Sequence, residues 1–212
     1  MTRTGILRKI TIVVGLISLI LSAILLIWRL VPGGRDMQTL TIPAGRLPAS
    51  PPNLDLRIDQ DIQIGLHWPK QLKAGEAGQV KLRILPGELT HESAYVDPYQ
   101  KTLSGELVMI GIQSDPQGLI RTAYQDIRNV ELAWQISTSQ AGDYPGKVWV
   151  TLEFMDAQGT NTEIPLAVFA FQTEVTRLWG MDAHTATWMG LLGLLVWGGM
   201  MALSVRLEHS SG

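Results

Sequence analysis

Trp134 to Val150 reads WQISTSQAGDYPGKVWV. Before it and into it, Leu132, Trp134 and Ile136 recur at every second position and share one face, the period of a half-buried strand. STSQAGD then concentrates turn formers. Beyond it Val148, Val150, Leu152 and Phe154 take up the same period. The segment therefore reads as one strand turning into the next around Tyr144.

The pattern extends outward in both directions. In IQIGLHW, Ile62, Ile64, Leu66 and Trp68 share a face, and in VKLRI, Val80, Leu82 and Ile84 alternate with Lys81 and Arg83. PKQLKAGEAG between them reads as a loop. Further strands are expected at Leu107–Gln113, Leu119–Tyr124, Val130–Ile136, Lys147–Phe154 and Ile164–Val175. MDAQGTNTE, with its Asp and Gly, has the composition of the loop joining the last two. A set of about seven to eight short strands with no amphipathic helix between them predicts an all-β sandwich and disfavours a βαβ fold. A closed barrel is the alternative.

AGDYPG places Tyr144 near the start of a strand. This resembles the tyrosine corner of immunoglobulin-like sandwiches, in which the hydroxyl returns to upstream backbone. Where the antibody pattern has a cysteine two residues later, this chain has Gly146, and it contains no cysteine anywhere. The segment is therefore more similar to bacterial immunoglobulin-like modules, which commonly lack the bridge. That resemblance implies an immunoglobulin-like antiparallel sandwich; the supply of apolar side chains makes Trp68, Trp134 and Phe154 the expected core members. Burying one large apolar side chain is worth about 1.5–3 kcal/mol, against about 2–4 kcal/mol for a disulfide.

Two apolar stretches flank this region. Ile10–Trp28 reads ITIVVGLISLILSAILLIW and Ala186–Val205 reads ATWMGLLGLLVWGGMMALSV, both uncharged. At 1.5 Å per residue each matches a hydrocarbon core of about 30 Å. The composition agrees: 46% of residues are hydrophobic and 17% charged, an apolar excess for a soluble protein. A cleaved signal peptide is disfavoured for the first stretch by its length and by the lack of a small-x-small site before VPGGR.

The expected organisation is residues 1–9 as a cytoplasmic N-terminus, 10–28 as the first span and 29–53 as a linker. Residues 54–178 are expected as an extracytoplasmic sandwich, 186–205 as the second span and 206–212 as a cytoplasmic tail. Arg3, Arg8 and Lys9 before the first span outnumber Arg29 and Arg35 after it, which sets this orientation. Trp28, Trp179 and Trp188 suit the membrane interface. In the second span Ala186, Gly190 and Gly193 recur at helical spacing, and Gly198 and Ala202 continue the small-residue pattern. Ser18 and Ser22 offer the same spacing in the first span. The simplest partner for this face is the chain's own other helix, the alternative being another membrane protein or a second copy. Trp197, near the middle of its span, needs an acceptor or a packing neighbour for its indole.

Chemistry is hard to find in the sequence. His67, His91, His184 and His209 are scattered. His67 falls opposite Leu66 and Trp68, on a solvated face. HESAY lacks the second histidine of the zinc signature, and no nucleophile elbow, P-loop or dinucleotide fingerprint occurs. Asp115 and Asp156 read as turn residues. No catalytic, cofactor-binding or metal-ligating residue is therefore expected. A formal net charge of −2 gives nucleic acid no general attraction. SAYVDPYQ places Tyr95 and Tyr99 in a candidate recognition loop. The expected function is a membrane-anchored structural or accessory protein, its sandwich contacting a partner and its helices docking on another membrane protein. The alternatives are an extracytoplasmic ligand- or carbohydrate-binding module and a surface-facing hydrolase.

Overall fold

The computed structural model describes residues 3–43, 45–46, 57–58, 61–86, 100–124, 130–155 and 161–209. They form two compact units. One comprises residues 1–32, 73–76 and 176–212, and the other residues 33–72 and 77–175. Tyr95 and Tyr99, with His91 and Asp156, lie outside the described residues.

The first unit is a helix pair. Helix α1 runs Arg3–Leu30 and α2 runs Ala183–His209. Within them Lys9–Leu30 and Ala183–Arg206 are long and apolar enough to cross a membrane. Both helices extend beyond the spans read from the apolar runs (10–28 and 186–205), because hydropathy marks only the lipid-compatible part of a helix. A helix continues past it wherever backbone hydrogen bonding does. Helix α2 thereby takes in most of the stretch expected as a tail.

The second unit is mostly β. Its strands are β1 (Arg35–Ile42), β2 (Gly45–Arg46), β3 (Arg57–Ile58), β4 (Ile62–Pro69), β5 (Gln71–Lys73) and β6 (Ala77–Pro86), followed by β7 (Gln100–Met109), β8 (Gln113–Asp115), β9 (Leu119–Tyr124), β10 (Glu131–Ser137), β11 (Gly142–Met155) and β12 (Asn161–Thr176). One sheet has the order β1-β4-β6-β10-β8 and the other β5-β12-β11-β7-β9, with β2-β3 a small ribbon. The hairpin of β11 and β12 holds its register from Gly142↔Val175 to Met155↔Asn161, with one irregularity at Val150/Thr151.

The two five-stranded sheets bury alternating side chains against each other. Ile64, Leu66, Val80, Leu82, Leu132, Trp134 and Ile136 come from one, and Leu103, Val148, Ile164 and Phe169 from the other, all fully buried. Trp68 packs on Phe171 across the core with ring centroids 5.4 Å apart and donates its indole N–H to Gln172 O at 3.2 Å. Thr173, completely buried, donates to Pro69 O at 3.0 Å. Trp134 lies over Gly105: a β-carbon there would stand 2.6 Å from Leu132 Cδ1 and 3.0 Å from the indole. Close approach of strand backbone to ring is what this glycine permits.

Several expected boundaries are corrected. The stretch 29–53, read as linker, contains β1, which pairs antiparallel with β4 from Arg35↔Pro69 to Ile42↔Ile62. Nearly every β1 side chain is exposed. The strand is held by backbone pairing at a sheet edge, so no apolar alternation marks it. The strand expected at Leu107–Gln113 is two: β7 ends at Met109, Gly111 turns the chain at φ 82°, and β8 begins at Gln113. The loop PKQLKAGEAG contains β5.

Candidate functional site

The helix seam is built around small residues. Ser18 donates its hydroxyl to Gly193 O at 2.8 Å, and Ser22 donates to Ser18 O at 2.7 Å. At Gly193 a β-carbon would collide with Ser22 Oγ, and at Gly190 it would stand 3.0 Å from Leu26 Cγ. Ala186 and Leu25 are buried in the same seam. Lipid tails are as apolar as the side chains, so what holds such a pair together is close packing and hydrogen bonding across the helices. Ser18, Ser22, Ala186, Gly190 and Gly193 thus converge on one line.

Gly198 and Ala202 do not join it. Both are exposed, and a β-carbon at Gly198 or its neighbour Gly199 would meet nothing within 4 Å. The opposing position is filled by Gly15, against which Met200 and Trp197 pack, a β-carbon there standing 3.5 Å from Met200 Cβ and 3.7 Å from the indole. Gly198 and Ala202 lie five and nine residues beyond Gly193, about 140° and 180° round a helix of 3.6 residues per turn, so they face away from α1.

A turn at Lys73–Glu76 ties the C-terminal end of α1 to the N-terminal end of α2. Lys73, almost fully buried, donates its ammonium to Arg29 O, in the last turn of α1, at 2.8 Å and to Val31 O just beyond the helix. A cation on these carbonyls satisfies groups the helix leaves unpaired and meets the negative end of its dipole. The Trp28 ring lies 5.6 Å from the same ammonium. Burial holds the Lys73 pKa below its ordinary value, with Glu76 opposing that shift and Arg29 adding to it. Arg29 in turn pairs with Glu76 at 2.8 Å.

On the α2 side the same turn engages backbone. Ala183 N donates to Ala74 O at 2.8 Å, and Ala74 N to Thr176 O at 2.9 Å. Asp182 caps the helix by accepting from Thr185 N at 2.7 Å, the bond that lowers its carboxyl pKa most. Ahead of it Leu178 and Met181 exchange backbone hydrogen bonds around Trp179 and Gly180, both at positive φ (51° and 78°). This is the geometry of a tight two-residue turn. Trp179 is exposed, and Trp188 donates to His184 Nε2 at 2.9 Å.

In the β unit, Tyr144 donates its hydroxyl to Gln140 O, four residues upstream, at 3.0 Å. Its ring rests on Gly111, where a β-carbon would stand 3.0 Å from Cε1. Where a cysteine would follow, Gly146 is covered by the Phe171 ring, 2.5 Å from a β-carbon placed there. An aromatic core contact thus occupies the space of the missing staple.

The outer faces of the two sheets differ. Glu131 on β10 accepts from Arg83 at 2.7 Å and Lys81 at 3.1 Å, both on β6. These bonds hold its carboxyl below the usual range, Lys81 most strongly. The outer face of the second sheet carries the ion pair of Arg121 with Glu153 at 3.0 Å, and beside it exposes Trp149, Val168, Val108 and Leu119; sequence reasoning did not single these out. Near the β8 end of the first sheet an open cleft is lined by Gln113, Ser114, Asp115, Gln117 and Gln135. It carries amides, hydroxyls and one carboxylate, with no aromatic ring.

Among the described residues no three His, Asp or Glu side chains gather as metal ligands would. His67 is half-exposed on β4. Comparison with known protein-family models and with curated proteins finds no match to this chain.

Proposed function

We propose that the chain is a two-pass membrane-anchored structural or accessory protein with both termini cytoplasmic. In this reading an extracytoplasmic immunoglobulin-like sandwich contacts a partner, and the helix pair docks on another membrane protein. The observation that carries it is the division of the small residues of α2. Gly190 and Gly193 are filled by α1, whereas Gly198, Gly199 and Ala202 remain open for a helix outside the pair. A preformed pair with a second small-residue face is the arrangement of an anchor that also docks.

Strand order supports the immunoglobulin-like part. Strands β4-β6-β10 stand in the relation of A-B-E, and β9-β7-β11-β12 in that of C′-C-F-G. Tyr144 then falls near the start of strand F with its hydroxyl on upstream backbone, as a tyrosine corner has it. The chain departs from the pattern at β8, which takes the edge beside β10 but precedes β9 in sequence.

The test is gentle detergent extraction of the tagged full chain, with mass spectrometry of what remains bound. Retention of a defined membrane protein by the wild type and its loss from Gly198→Leu supports docking through the open face. Emergence of the chain without another membrane protein overturns it. Gly190→Leu is the wrong probe, since it would strike Leu26 within the pair. The second reading, a ligand- or carbohydrate-binding module, rests on the polar cleft at Gln113–Gln117. That cleft lacks the aromatic platform on which sugar rings stack.

A further inference from the structure

Outward-facing residues of the β5-β12-β11-β7-β9 sheet fall into register rows. Leu119 pairs with Glu106, Glu106 with Trp149 and Trp149 with Val168, so these four cross the sheet side by side. The adjoining row is Val108, Lys147 and Ala170. Trp149, Val168, Val108 and Leu119 are each between 44% and 49% exposed, a level that would be ordinary for one residue and is not for four neighbours. Contiguous apolar surface of this kind marks an interaction site. On the other sheet the corresponding face carries Gln63, His67, Gln79, Lys81, Arg83 and Glu131, a largely polar surface on which Met37 is exposed.

The charges around Trp149 identify what covers it. Glu106 lies across one strand from Trp149, and Lys147 lies two residues along its own strand, so the acid and the base occupy opposite corners of a four-residue cell. Trp149 and Val108 occupy the other two corners. A two-fold axis along the Trp149–Val108 diagonal returns Trp149 upon Trp149 and Val108 upon Val108. With strands about 4.8 Å apart and alternate residues about 6.8 Å apart, it brings each Glu106, in projection, to about 3 Å from the Lys147 of the other copy, an offset that a lysine side chain spans. One operation thus buries the apolar pair and forms two ion pairs, which is the self-complementarity an isologous interface requires.

We propose that this face binds a second copy of the chain, Trp149 to Trp149, with reciprocal Glu106–Lys147 pairing. The proposal stands apart from docking through Gly198, since it concerns a different unit and a different partner.

The chain lacks cysteine, so single introduced thiols report contacts directly. The full chain carrying Val108→Cys, in native membranes, is treated with a short thiol cross-linker. Gln79→Cys, on the outer face of the other sheet, is the reference. The expected result is a covalent dimer from Val108→Cys and none from Gln79→Cys. Glu106→Lys added to Val108→Cys sets lysine against lysine twice and lowers the dimer yield by about tenfold or more. The further change Lys147→Glu restores it. Equal cross-linking at both thiols, cross-linking of Val108→Cys to a different protein, no dimer at all, or failure of the double charge exchange to rescue would each overturn the proposal.

Discussion

The helix pair and the β unit use glycine in the same way and hold together for different reasons. In the pair, Gly193 lets Ser18 and Ser22 reach across from α1. In the β unit, Gly105 lets Leu132 and Trp134 close on the opposing sheet. The second contact removes apolar surface from water, which drives folding in proportion to area. In the proposed reading the helix pair lies in lipid and gains no such term, because its side chains leave one apolar medium for another. It depends on fit and on a few hydrogen bonds. Equal burial is therefore worth unequal amounts in the two regions.

The comparison is open to direct attack. The largest effect is expected from Trp134→Ala, which empties the fully buried indole site and costs about 3–5 kcal/mol. Urea unfolding of the full chain in micelles, followed by the β signal in circular dichroism, measures it. Leu132→Ala should cost about 2–5 kcal/mol by the same assay, and Leu25→Ala, though also buried, should leave the helix pair associated. The pair is read from a disulfide between Gly15→Cys and Met200→Cys, positions with a β-carbon separation of 3.5 Å. If Leu25→Ala abolishes that disulfide, the contrast between water-driven and lipid-packed association is wrong.

In the same disulfide assay Gly193→Leu should abolish the bond, whereas Gly198→Leu should leave its yield unchanged. Ser18→Ala removes one interhelical hydrogen bond, worth about 0.6 kcal/mol, and should reduce the yield slightly.

The smallest effect concerns the charged sheet face. Because the Glu131 carboxyl is depressed by Lys81 and Arg83, its contribution is fully present above the ordinary glutamate value. It is lost as pH falls through the depressed value. The pair is part-exposed and screened, so Glu131→Gln should cost under about 1 kcal/mol at neutral pH. Its urea midpoint should converge with that of the wild type in acid.

Much of this architecture was legible. β4, β6 and β10 announce themselves because one face is buried and the other wet, which writes a period of two into the chain. The spacing of Gly190 and Gly193 marked a small-residue face, and AGDYPG marked Tyr144 as the tyrosine of a strand turn, while its acceptor Gln140 was not legible. β1 was not, since an edge strand with exposed side chains carries its pairing in the backbone. Gly15 was hidden as a lone glycine in an apolar run. The Lys73 cap was invisible for another reason: its acceptors at Arg29 and Val31 are more than forty residues away, and a lysine between glycine-rich turns looks like any solvated loop. Trp149 was readable as the outward neighbour of Val148 and Val150. Its company, drawn from β7, β9 and β12, required register that no single strand contains.

The Lys73–Glu76 turn also bears on what motion the helix pair allows. Its Ala74 carbonyl holds the first amide of α2 while its lysine holds carbonyls at the C-terminal end of α1. A shift of one helix past the other by a single residue, about 1.5 Å, would break the hold on one helix or the other. The pair is thus built against piston-like sliding, and any mechanical signal it carries must be rotation or splaying at the far ends.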